Sequence, residues 1–185
     1  MDAIDDLKTG HEAARQALDI LKEIVENINA TGNAEHPEHL EQLFDFFRIF
    51  VDRCHHGKEE ELLFPALEEI GISREGGPVG VMLSEHQQGC DLVAQMKTDL
   101  ARLLHSDDAA VRLLKQHATD YITLLNFHID RENSILFRLA STHLPPDKLA
   151  ELGKGFDRIE TEKIGYGRHE AFHRMLAAFS NLCLR

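Results

Sequence analysis

Two short segments carry the chemistry most legible in this chain: His55-x-x-x-Glu59 and His128-x-x-x-Glu132. A spacing of four puts an imidazole and a carboxylate on one face of a helix, a turn apart. Imidazole nitrogen and carboxylate oxygen together are donors for transition metals. Two single histidines, His11 and His86, fall at apolar positions in two other stretches. Six ionisable groups facing one core are costly unless something pairs them, and a cation supplies the missing charge. The pattern points to a site for two metal ions.

The elements that must position these groups follow from the apolar spacing. Ile4, Leu7, His11, Ala14, Leu18, Leu21, Val25 and Ile28 step by three and four, which predicts a helix over 2–30, stopped by Thr31-Gly32-Asn33. A second stripe, Leu40, Phe44, Phe47, Val51, His55, Glu59, Leu62 and Ala66, predicts a helix from Pro37 to Ile70, with a kink at Pro65 and a loop from Gly71 through Gly76-Gly77-Pro78. A third runs Val79, Met82, His86, Cys90, Val93, Met96, Leu100, Leu103, and Ser106-Asp107-Asp108 reads as a break followed by an N-cap. The fourth runs Val111, Leu114, Ala118, Tyr121, Leu125, His128, Glu132, Ile135, Leu139 and ends before Pro145-Pro146. Four amphipathic helices with short connections predict an all-α, up-down-up-down four-helix bundle.

In that topology all four histidines lie about 18 to 20 residues from their turns, which puts them in one layer ~28 Å from the same end. The bundle is expected over 1–144. Leu149, Leu152, Phe156 and Ile159, then Phe172, Met175, Leu176, Phe179 and Leu182, predict two C-terminal helices packed on it as an appendage over 145–185.

The donor types narrow the metal. Structural zinc is satisfied by four ligands, often with Cys; calcium and magnesium take oxygen almost alone. Imidazole with carboxylate suits iron, and also manganese, zinc or copper. Six groups are too many for one tetrahedral ion and suit two ions bridged by the two glutamates. Ferritin-like bundles also hold two irons, but through carboxylate-rich Glu-x-x-His turns; here the order is reversed, the spacing is four, and His outnumbers carboxylate.

That pattern resembles the hemerythrin-like, or His-His-Glu cation-binding, family. The stretch His55-His56-Gly-Lys58-Glu59-Glu60-Glu-Leu-Leu-Phe64-Pro65 is similar to the family's second-helix motif, Ser84-Glu85-His86 to its third-helix start, and His128-Ile-Asp-Arg-Glu132-Asn133 to its fourth. The resemblance covers residues 1 to about 143. Carried over by position, it implies His11, His55, Glu59, His86, His128 and Glu132 as ligands to two iron ions, oxo- or hydroxo-bridged, with Glu59 and Glu132 as bridges. Oxygen-carrying members place a second His one turn after the third-helix ligand, and here Cys90 stands there. The resemblance therefore implies an extra open coordination position and a likeness to the branch linked to nitric oxide, peroxide and repair of damaged iron centres, without that branch's Cys-bearing N-terminal domain. The expected function is to bind, sense or react with dioxygen, peroxide or nitric oxide. The alternative is a metal-binding regulatory or structural module without turnover.

Several residues compete for attention. His56, about 100° off the stripe, is expected beside the ligands or in solvent. His117 is three turns from His128; His36, His39, His105 and His143 fall near loops. Cys54 reads as a small buried residue and Cys90 as packing, with a possible role one turn from His86. His169-Glu170-Ala-Phe-His173 matches the zinc-protease pattern, but no His, Asp or Glu follows to supply a third ligand. The short helix carrying it starts near the ligand layer, so His169, His173 or Tyr166 could replace the missing nitrogen, or face solvent. The net charge of −12 argues against nucleic acid or an anionic membrane as partner; the partner that the resemblance implies is a small diatomic or peroxide ligand. No apolar run is long enough to span a bilayer, and Met1-Asp-Ala-Ile-Asp-Asp lacks the features of a signal peptide, so the expected location is cytoplasmic. Three scattered cysteines do not form a disulfide framework.

Overall fold

The structure is a computed structural model and describes residues 2–28, 37–105, 108–165 and 167–183, with the side chains of 108 and 180–183 excepted. Thr31-Gly32-Asn33, His36, most of the Ser106-Asp107-Asp108 cap and Tyr166 lie outside the described residues. Every regular element described is helical: α1 (Ala3–Asn27), α2 (37–69), α3 (Pro78–Leu104), α4 (108–143), α5 (Pro146–Lys163) and α6 (Arg168–Cys183). The expected stripe of α1 is wholly buried, from Ile4 to Ile28. α2 ends as its sequence demands. Gly71 takes φ 91°, Gly71 N–H bonds Glu68 C=O at 3.0 Å, and Ile72 N–H bonds Leu67 C=O at 3.0 Å, the paired closure that a left-handed glycine after a helix permits.

Two helices are not uniformly α. In α2 the residues Phe47–His56 and Glu59–Leu63 are π-helical, and in α4 so are Glu132–Leu136. Phe64 N–H bonds Glu59 C=O, and Phe137 N–H bonds Glu132 C=O, each spanning five residues. Each such turn takes up one extra residue and shifts everything after it by one position. This corrects the expected stripes beyond the glutamates. Leu63 and Phe64 are buried where Leu62 was expected, leaving Leu62 half-buried; Leu136 is buried and Ile135 is 46% exposed. Pro65 sits in the first turn of Phe64–Glu69, directly after a π turn, where its missing N–H is accommodated.

The apolar core is divided. One block gathers Ala14, Leu18, Phe44, Phe47, Val93, Leu114 and Leu125 with their neighbours. The other gathers Ile4, Leu7, Leu63, Phe64, Val79, Met82, Leu136 and Phe137. His11, His55, Glu59, His86, His128 and Glu132 fall between them along each of the four long helices, all 6% exposed or less. α5 packs against α1 and α2, its Gly155 allowing a close approach: a Cβ there would stand 2.6 Å from Leu62 Cδ1. α6 packs against α1 and sets Phe172 edge-on against Phe46.

Candidate metal centre

The polar layer holds two groups of donors. His11, His55, Glu59 and Glu132 form one; His56, Glu59, His86 and His128 form the other; within each, the donor atoms lie within 4.8 Å of one another. Glu59 belongs to both. Its Oε1 is 3.3 Å from His55 Nε2 and its Oε2 3.5 Å from His86 Nε2. Glu132 Oε2 is 3.1 Å from His11 Nε2 and 3.2 Å from His128 Nε2, while its Oε1 reaches to 3.9 Å from His86 Nε2. All six residues expected in the site are thus brought together.

A seventh was not expected. His56 is buried, stacked on the His86 ring at 3.7 Å between centroids and 5.5 Å from that of His128. The expectation that it lies in solvent or to one side assumed a turn of ~100° per residue. Across the π-helical run Phe47–His56 the turn is wider and neighbouring residues diverge less, so His55 and His56 both face inward, each into a different donor group. The doublet His55-His56 was the available signal. His56, not a residue of the appendage, adds the further nitrogen to the layer.

The outer ring nitrogens are held by neighbours. His86 Nδ1 donates to Glu60 Oε1 at 2.6 Å, His128 Nδ1 to Glu85 Oε2 at 3.0 Å, and His11 Nδ1 to Asn133 Oδ1 at 3.1 Å. Arg131 in turn holds Glu85. A carboxylate or an amide oxygen only accepts, so each Nδ1 carries hydrogen and each Nε2 faces inward, where the neutral ring offers its lone pair to a cation. Glu60, Glu85 and Asn133 stand within the motif stretches, but their spacing assigns them no role, because their partners lie on other helices. They match the orienting carboxylates and amides that fix metal-binding imidazoles.

The inward atoms test whether a cation fits. His55 Nε2, His56 Nδ1, both oxygens of Glu59, His86 Nε2, His128 Nε2 and Glu132 Oε1 are buried with no hydrogen-bond partner. Buried polar atoms are otherwise almost always paired. Seven such atoms converging from three helices, in two overlapping groups of nitrogen and oxygen, fit cations and little else. The titration behaviour agrees. Burial, then the Glu132 charge, pushes the Glu59 carboxyl well up. Burial opposes ionisation of Glu132 too, but His128 and His11 hold it well below its usual range. Two carboxylates sharing a site separate in this way. Burial and adjacent imidazoles push His55 and His56 down. His128 is raised to about 9 against the pull of burial, by Glu132 and Glu85.

This layer of histidine and glutamate in a four-helix bundle is what the model of the hemerythrin HHE cation-binding domain describes, and that model matches residues 2–140. The chain belongs to this family. An uncharacterized protein of Mycobacterium tuberculosis (strain ATCC 25618 / H37Rv) is 23% identical over 163 residues, 88% of this chain and 63% of the relative. The iron-sulfur cluster repair protein YtfE of Edwardsiella ictaluri is 30% identical over 129 residues, 69% of this chain and 58% of the relative. The iron-sulfur cluster repair protein DnrN of Neisseria gonorrhoeae is 35% identical over 91 residues, 45% of this chain and 54% of the relative. The chain therefore spans less than two thirds of the length of these relatives.

The remaining candidates of the hemerythrin-like chain stand apart from the donor groups. Cys90 Sγ donates to Asp52 Oδ1 at 3.0 Å, and burial, then Asp52, pushes the thiol up to about 12. Cys54 is buried and likewise raised to about 12. His169 and His173 pair with each other, and Tyr166 lies outside the described residues. His117 bonds Asp99 at 2.6 Å; His105 bonds the Ala101 carbonyl; His39 lies against the Phe179 ring; His143 is exposed. A cavity of about 300 Å³ borders His56, His86 and His128; Phe47, Val51, Val93 and Leu125 wall it together with charged side chains that include Arg48, Asp52, Arg53, Glu85 and Lys97. No helix among the described residues is long and apolar enough to cross a membrane.

Proposed function

We propose that this chain is a non-haem di-iron protein of hemerythrin type that binds and reacts with a small oxidant or diatomic: dioxygen, peroxide or nitric oxide. The observation that carries the reading is the set of seven orphaned buried donor atoms in two overlapping groups. In this reading His11, His55 and Glu132 would hold one ion and His56, His86 and His128 the other, with Glu59, a member of both groups, available to either. When bound, a pair of irons supplies one-electron redox change and open coordination positions for a small ligand. The chain does the rest. Glu60, Glu85 and Asn133 keep the imidazoles in the tautomer that faces inward. The two apolar blocks keep bulk water from the layer. The cavity beside His56, His86 and His128 has room for a diatomic or peroxide next to the donor layer.

Two of the relatives bear names for repair of iron-sulfur clusters. By that likeness we place the chemistry in defence of iron centres against the same small molecules; the match spans 58% and 54% of those two proteins. The test is anaerobic reconstitution with iron(II), elemental analysis, and spectra before and after air, peroxide or nitric oxide. About two irons per chain, near-ultraviolet bands on oxidation and consumption of the added molecule support the proposal. Protein that holds no iron sinks it. Stoichiometric binding without consumption would favour a sensor or structural module.

A further inference from the structure

The His-Glu-x-x-His motif of α6 takes no part in the buried layer, yet its geometry is that of a ligand pair. His169 and His173, four apart on a helix, share a face, and their Nε2 atoms stand 3.2 Å apart. Two nitrogens held at ~2.0–2.1 Å from one tetrahedral ion stand about 3.3 Å apart. His169 Nδ1 donates to Glu160 Oε1 at 3.1 Å, so its Nε2 bears the lone pair. The His169 ring is further fixed by lying parallel to Phe50 at 5.3 Å. A carboxylate behind an imidazole is the arrangement that orients metal-binding histidines elsewhere. Among the described residues no third donor joins the pair, so solvent would complete the coordination.

The position of the pair gives it a use. A cavity of about 50 Å³ is lined by His169, His173 and Glu160 on one side and by Cys54, Gly10 and His55 on the other. His55 belongs to the buried donor layer. Lys58, the cation nearest this space, is neutralised by Asp6 at 2.7 Å and Glu160 at 3.2 Å. The chain as a whole carries a net charge of −12, which favours approach of a cation.

We propose that His169 and His173, oriented by Glu160, form a separate surface site for a first-row divalent cation, and that this site is where ions enter toward the buried layer. The entry role rests on the buried layer being a metal centre, as proposed above; the surface site does not. Imidazole suits zinc, copper, nickel and iron.

The experiment has two arms. First, iron-loaded protein is dialysed against zinc(II). Wild type should retain one further zinc per chain without loss of iron. His169→Ala or His173→Ala should weaken that retention at least about tenfold, as should Glu160→Gln, while exposed His143→Ala leaves it unchanged. Circular dichroism and iron content confirm that the variants are folded. Second, uptake of iron(II) by metal-free protein is followed by absorbance. His169→Ala/His173→Ala should fill several-fold more slowly than wild type yet reach the same final iron content. Absence of the extra zinc in wild type, equal retention in the His variants, or equal uptake rates would each overturn the proposal. If neither protein holds iron at the end, the buried centre itself fails and the entry role with it; the zinc arm is then run on the metal-free protein, where loss of one zinc per chain in the His169→Ala and His173→Ala variants still reads the surface pair and equal retention overturns it.

Discussion

Glu85 and Glu60 lie off the apolar stripes, and each holds the outer nitrogen of one histidine. Replacing either by Gln removes a charge-assisted acceptor behind the ring, so iron affinity should fall about 10- to 100-fold while the fold survives. Competition against a chelator reads this directly; unchanged affinity in both variants would dissociate these residues from the site. Glu59→Ala and His128→Ala should hold no iron at all, and His143→Ala should bind it as wild type does. Cys90 invites the opposite expectation. Its thiol donates to Asp52 and is raised to about 12, so at pH 8 it is almost wholly protonated. Alkylation by iodoacetamide should be at least about tenfold slower than that of free cysteine, because only the thiolate reacts. The shift also has a sign for stability. A raised thiol favours the native state below its unfolded value, and that contribution is lost as pH climbs from about 9 toward 12. The six stripe residues were legible because each occupies an apolar position in a regular period. Glu60 and Glu85 were not, because what a surface carboxylate touches depends on the neighbouring helix.

At the scale of elements, the π turns decide which residues face inward. The constant period of the α-helix puts Ile135 in the core, but the turn at Glu132–Leu136 buries Leu136 instead. Ile135→Lys should therefore change stability by no more than about 0.5 kcal/mol, whereas Leu136→Ala should cost about 2–5 kcal/mol. Chemical denaturation distinguishes the two, and the reverse order would mean that α4 continues without the turn. Gly10 makes a second test. A glycine within α1 weakens the helix by about 0.5–1 kcal/mol relative to alanine, yet a Cβ here would stand 2.5 Å from His55 Nδ1. Gly10→Ala should fold as well as wild type and bind iron more weakly, because the His55 ring must move.

For the molecule as a whole, a polar layer between two apolar blocks is a weak plane until something neutralises it. Binding to the folded state alone stabilises it by mass action: about 2.7 kcal/mol at a free metal concentration a hundredfold above Kd, or roughly 5–10 °C in Tm for a chain of this size. Chelation should lower Tm by that order, and Glu59→Ala should show no such response. The charged tie between α2 and the appendage is the other exposed joint. Lys58, 6% exposed, bridges Asp6 of α1 and Glu160 of α5. Lys58→Met should cost about 1–3 kcal/mol by leaving two carboxylates without their donor. Helix number, the all-α class and the four-His, two-Glu layer were determined by the sequence alone, since amphipathic periodicity is local and a bundle with short turns has few ways to close. The admission of His56, the exposure of Ile135 and the orienting carboxylates were decided only in the tertiary structure. These depend on where a helix widens and on what the next helix presents, and neither is written in the spacing of any one segment.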